Sequence, residues 1–267
     1  MEEKYIMTTN NLLGNYSYIT PLKYVSGIIR EYDIASANVN VLYDAGAISE
    51  SDYNYISRLP KQSREVEVGL RIRDNLIDQE ILAQGIAKAK IQLGIANGIK
   101  DNEIVRIAND AVYVNRFDKL KNTQFGNIRF VEKSFFRVMV KLNNLIIFQR
   151  TDYDGVNIDV KGISSPALLL HLEYMLDLIS QTIYLCEHVS PNYALQYLTD
   201  FYQQYLEKKL DIGYYREFNS DSLYKIKDSD FKISNATDIN TIDINYNLFI
   251  LRELYSIILE KANLNRK

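Results

Sequence analysis

The sequence predicts an α+β fold, an antiparallel sheet with packed helices followed by a mainly helical subdomain. Three observations carry that reading. Residues 103–161 form a succession of β-branched and aromatic runs separated by turn residues. After Ser165-Pro166 the apolar residues recur at helical spacing instead. Ahead of both, Ile77, Ile81, Leu82, Ile86, Ala89, Leu93 and Ala96 step by three or four and mark a helix with one buried face.

Each element has a local cause. Residues 16–35 alternate aromatic or aliphatic side chains with polar ones, which predicts strands broken at Pro21 and Gly27. Ser36 is placed to cap a helix over 37–46, and Ser49 or Ser51 to cap another running to Pro60. The helical pattern from Arg64 to Asn97 is interrupted near Asp74-Asn75, and Gly98 is its expected C-cap. Strands are expected at 103–108, 111–115, 127–133, 135–142, 145–149 and 156–161, with turns at Asn143-Asn144 and Asp152-Tyr-Asp-Gly155. Helices are expected near 166–188, 191–209 and 246–263, the first two entered at Pro166 and Pro191, with 211–240 irregular. A boundary near Gly162 divides a first domain, 1–163, from a helical subdomain, 164–267.

Composition narrows the class. At 267 residues and 47% hydrophobic content the chain can bury substantial cores. The single Cys186 excludes a disulfide framework and a multi-cysteine metal site, and its apolar helical setting predicts a buried thiol in a reducing compartment. The N-terminus lacks a signal-peptide pattern, and no stretch approaches the roughly 18 apolar residues of a membrane span, so a cytoplasmic address is expected. A net charge of −3 argues against a dedicated nucleic-acid binder. The distribution is uneven, however. Arg58–Arg73 holds five basic residues against two acidic, and Arg116–Lys161 nine against five. Such patches either track a phosphate backbone or form ordinary solvated faces.

The chemistry rests on two acids. Asp33 ends an apolar strand, and Asp110 lies within Glu103-Ile-Val-Arg-Ile-Ala-Asn-Asp-Ala-Val-Tyr-Val114. A bare carboxylate among apolar neighbours is costly unless it is solvated, hydrogen-bonded or metal-bound. Two of them from adjacent strands meet the need of phosphoryl transfer for a pair of hard cations, Mg2+ or Mn2+. The competing reading makes Asp33 a helix cap and Asn109-Asp110 a hairpin turn. Lys61, Arg64, Arg71 and Arg73 lie on or near a helix and either reach a phosphate or form an exposed face. Tyr193, Tyr197, Tyr202 and Tyr205 either stack bases or pack. His171 and His188 are too few and too far apart for an obvious metal site, and no Gly-rich phosphate loop is present.

Asp33-Ile-Ala-Ser36 before an apolar helix resembles the first catalytic motif of family B DNA polymerases, and Asn109-Asp110-Ala-Val-Tyr-Val114 resembles their Asp-Thr-Asp-Ser motif. Ile128–Lys133, Phe135–Phe148 and Ile158-Asp-Val-Lys-Gly-Ile163 then follow in the order of the palm strands. The resemblance implies a palm over 1–163 with reduced fingers at 47–98, a thumb over 164–267, and a viral or mobile-element replication protein. It implies Asp33 and Asp110 as catalytic metal ligands, Ser36, Asn38, Lys61 and Arg64 around a nucleoside triphosphate, and Lys141, Lys161 and Gly162 along primed DNA. Ala108 replaces the first Asp of the second motif, Asn38 and Val39 replace a Tyr and Pro, Asn143-Asn144 stands for a lysine pair, and no fingers motif is recognisable. Two function classes follow. One is a template-directed nucleotidyltransferase, minimal or one part of a split polymerase with other replication subunits. The alternative is an inactive palm-derived binding or assembly module.

Overall fold

The computed structural model describes residues 12–142, 145–152, 155–162, 166–211, 214 and 246–264, with the side chains of 166–173 and 246–249 excepted. The fold is α+β with antiparallel strands, and the chain divides into two compact units. Met1–Pro21 with Val25–Arg137 forms the first, and Leu22–Tyr24 with Val138–Lys267 the second.

In the first unit, β1 (Ser17–Ile19), β3 (Ile104–Ala108), β4 (Ala111–Asn115), β2 (Tyr24–Ile34) and the first part of β6 (Ile128–Leu142) follow one another as hydrogen-bonded neighbours, and β5 (Gln124–Phe125) pairs with β6. Helices α1 (Ala37–Asp44), α2 (Glu50–Ser57), α3 (Lys61–Arg73) and α4 (Gln79–Asn97) lie between β2 and β3 in the chain. Alternation sorts the strands into two faces. Tyr32, Ile34, Ile107, Val112 and Val114 pack with Val41 of α1 and Ile86, Ala89 and Leu93 of α4 in one core. Val39, Leu42, Ile48, Ile56, Val68 and Ile77 form a second, smaller core among α1, α2 and α3. Gly85 permits the close approach of α4 to α1, since a Cβ there would stand 2.3 Å from Val41 Cγ1.

Helix boundaries follow their chemistry. The Ser49 hydroxyl accepts from the Asp52 amide at 3.1 Å and caps α2. The break between α3 and α4 falls where expected, with Asn75 left-handed at φ 57° and Asp78 capping α4 through the Glu80 amide. Gly98 ends α4 at φ 59°, ψ 41°, a conformation that suits glycine.

Three expectations need correction. Gly27 does not break β2: it adopts φ 142° inside the strand, where a Cβ would meet Asn115 Oδ1 at 2.3 Å. Residues 128–142 form one continuous strand rather than two. Ser36 occupies the N-cap position of α1, but its side chain makes no cap hydrogen bond and its backbone is left-handed at φ 49°.

In the second unit, the end of β6 pairs with β7 (Leu145–Asp152), which pairs with β8 (Gly155–Lys161). Val138, Val140, Leu142, Leu145 and Ile147 pack against α5 (Pro166–His188), α6 (Pro191–Leu206) and α7 (Tyr246–Leu264), through Leu178, Ile179, Ile183, Leu198, Leu254 and Ile258. Pro191 stands in the first turn of α6, capped by Ser190. Tyr205 is fully buried, Tyr197 and Tyr202 pack on the same core, and Tyr193 is exposed. Cys186 is a buried free thiol whose pKa burial pushes up. The expected turns at 143–144 and 153–154, the His171 side chain and nearly all of 211–240 lie outside the described residues. Among the described residues no helix is long and apolar enough to cross a membrane.

Candidate active site

Sheet register brings the two acids together. Asp33 is the Cα partner of Ala111 in the β2–β4 ladder. Asn109-Asp110 is the two-residue turn between β3 and β4, whose last rung is Ala108↔Ala111. Asn109 supplies the left-handed residue of that turn at φ 53°. Asp110 therefore immediately precedes the partner of Asp33, and the hairpin reading and the paired-acid reading are both realised by one turn.

The two carboxyl groups are close enough to perturb one another, and the pKa of Asp110 is pushed up to about 6. Burial is the largest cause and the Asp33 charge the second, with Lys133 pulling the other way. Asp33 Oδ1 is buried and has no hydrogen-bond partner among the described residues. Lys133 Nζ stands 3.6 Å from Asp33 Oδ2 and 3.9 Å from Glu31 Oε1.

A cavity of about 760 Å3 opens over the pair. Asp33, Asn109, Asp110, Val131 and Lys133 line it from the strands, Ser36, Ala37 and Asn38 from the start of α1, and Lys61, Arg64 and Glu65 from α3. All six residues expected around a nucleotide or its metals, Asp33, Asp110, Ser36, Asn38, Lys61 and Arg64, thus line the same cavity. Arg64 Nη1 donates to Ser36 Oγ at 2.8 Å, which is where the hydroxyl expected to cap α1 is engaged. The first amides of α1 have no intrahelical acceptors, and with Lys61 and Arg64 they make this wall suited to an anion.

Arg71 and Arg73 are used elsewhere. Arg71 bridges Asp52 and Glu67 at 2.8 and 2.9 Å, and Arg73 pairs with Asp74 at 2.9 Å. Lys141, Lys161 and Gly162 belong to the second unit. Lys141 and Lys161 are both Cα partners of Ile146, on either side of it, so the three side chains share one face of that sheet, opposite Val140 and Ile147. Lys161 also pairs with Asp159 at 2.8 Å, and Gly162 follows at φ 88°.

Sequence reasoning missed the support around the pair. Glu31, two residues before Asp33 on the same strand face, is buried and accepts from Tyr113 Oη at 2.8 Å and from Ser134 Oγ. Alternation on β2 was the available signal for Glu31; nothing local marked Lys133 or Ser134.

Among the described residues no group of three or more His, Cys, Asp or Glu is arranged around a common point. A carboxylate pair with an orphaned oxygen beside a roomy polar cavity still fits Mg2+ or Mn2+. These ions favour hard oxygen donors and characteristically take one or two protein carboxylates, leaving the rest to water and substrate phosphates.

The family model described as Bacteriophage PBS1 gene 130 protein matches residues 7–260, and the chain belongs to that family. No curated protein matches the chain.

Proposed function

We propose that this phage-family chain is a template-directed nucleotidyltransferase of family B DNA polymerase type, extending a primed nucleic acid from nucleoside triphosphates, either alone or as one subunit of a split polymerase. The observation that carries the reading is the convergence of Asp33 and Asp110 at one wall of a cavity whose other wall holds Lys61, Arg64 and the start of α1.

In this reading a primer 3′-hydroxyl attacks the α-phosphorus, its proton passes to solvent, a new P–O bond forms, and the bond to pyrophosphate breaks. Mg2+ or Mn2+, when bound, supplies charge neutralisation and activation of the hydroxyl. Asp33 and Asp110 would hold the cations, with Glu31, locked by Tyr113 and Ser134, stiffening the strand that carries Asp33. Lys61, Arg64 and the amides after Ser36 orient the triphosphate, and Asn38 faces the same space. Lys141, Lys161 and Gly162 serve the backbone of the primed duplex.

The second reading, a palm-derived binding or assembly module, is favoured by the exposed apolar side chains Val66, Leu70 and Leu76 on and beside α3. Primer extension with labelled nucleotides separates the two. The polymerase reading expects incorporation with Mg2+ or Mn2+ that Asp33→Ala and Asp110→Ala abolish while circular dichroism is retained. It also expects either metal to raise the Tm of the wild type and of neither variant. Wild-type protein inert with every template, metal and replication partner would leave the binding module standing.

A further inference from the structure

We propose that Lys90 is the positioning residue of the acid pair: from α4 it holds the Asn109-Asp110 turn and sets an ammonium beside the peptide that carries Asp110. The proposal rests on the acid pair being the functional centre.

Lys90 is 1% exposed and lies on the buried face of α4 with Ile86, Ala89 and Leu93. It is the one buried lysine among the described residues. Its ammonium donates to the Asn15 and Asn109 carbonyls, each at 2.7 Å. The Asn109 amide in turn donates to the Tyr16 carbonyl at 2.8 Å. Both backbone polar groups of the left-handed turn residue are therefore held from outside the hairpin, by the segment ahead of β1 and by Lys90. The peptide they fix is the one that delivers Asp110.

The charge has a second consequence. Lys90 is close enough to Asp110 for the two charges to attract, and that attraction opposes the burial that lowers the lysine pKa to about 8. A leucine or methionine would fill the same space without desolvating an ammonium. The cation is explained by what it grips: the Asn109 carbonyl of the turn and the Asn15 carbonyl of the segment ahead of β1, which one ammonium ties together.

The test is a double-mutant cycle on the full chain, read as urea unfolding with a chelator present, using wild type, Lys90→Met, Asp110→Asn and the double variant. Lys90→Met is expected to lower the folding equilibrium constant about tenfold more in the wild-type background than in the Asp110→Asn background. Equal losses in both backgrounds would overturn the proposal, leaving Lys90 a donor to two carbonyls with no hold on the acid. If Lys90→Met does not fold, Lys90→Gln, which keeps a neutral donor, replaces it in the cycle. Mn2+ titration followed by electron paramagnetic resonance supplies a second readout. Binding about tenfold weaker in the Lys90 variant, with unchanged circular dichroism, is expected, and wild-type affinity would refute the positioning role. Wild-type protein that takes up no Mn2+ would count against the metal reading of the pair, while the unfolding cycle still decides the role of Lys90.

Discussion

Asp110→Asn removes the charge that the Asp33/Asp110 pair accommodates least well, so its effect on stability tests the geometry of the site without reference to catalysis. In the folded protein the Asp110 pKa rises from 3.8 to about 6, first because of burial and then because of Asp33. That is about two pH units, which at about 1.4 kcal/mol each would amount to about 3 kcal/mol for a fully dry carboxyl. Asp110 is only half-buried, and screening by solvent reduces the figure to about 1–2 kcal/mol. The sign follows from linkage. A carboxyl whose folded pKa is raised contributes stability that is fully present below its ordinary value near 4 and is lost as pH rises through about 6. An asparagine does not titrate. Urea unfolding in the presence of a chelator, from pH 4 to pH 8, should therefore show the variant matching wild type near pH 4 and exceeding it by about 1–2 kcal/mol at pH 7.5. A variant less stable than wild type at pH 7.5, or a gap that does not change with pH, would refute the placement of the two acids side by side.

Three other outcomes are expected. Arg64→Ala should weaken nucleoside triphosphate binding about tenfold, the worth of one charge-assisted hydrogen bond, with the far-ultraviolet circular dichroism unchanged; equal affinity in a fluorescent-nucleotide titration would remove Arg64 from the site. Gly85→Ala should destabilise by about 1–2 kcal/mol, because the clash with Val41 Cγ1 at 2.3 Å outweighs the helix-propensity gain of about 1 kcal/mol, and a more stable variant in urea unfolding would show that α1 and α4 are not this close. Ser49→Ala should cost about 1 kcal/mol through loss of the α2 cap, with Ser49→Gly costing less, as thermal unfolding would report.

Much of the secondary structure was legible because its causes are local. The α4 repeat, its Gly98 end, and the strand runs at 104–108 and 111–115 depend on neighbours within a turn or a rung. Gly27 was misread as a breaker because what it accommodates is Asn115, a residue 88 positions away on the paired strand. The β6 strand read as two because its middle, Lys133-Ser134, is polar, and only Asp33 and Glu31 across the sheet explain those residues. Ser36 looked like a cap, and its hydroxyl instead meets Arg64.

By itself the sequence determined most of the strands and helices and marked Asp33, Asp110, Lys61 and Arg64 as candidates, because period, turn chemistry and isolated charge are properties of adjacent residues, while Ser36 and Asn38 entered through the resemblance to a polymerase motif. Tertiary structure alone decided that Asp33, Asp110, Ser36, Asn38, Lys61 and Arg64 share a cavity, that burial and then Asp33 raise the Asp110 pKa, and that an unremarkable lysine of α4 is buried under the turn. The physical reason is that burial and electrostatic coupling are set by partners distant in the chain. Asn15 and Asn109 stand 75 and 19 residues from Lys90, and no local pattern encodes their approach.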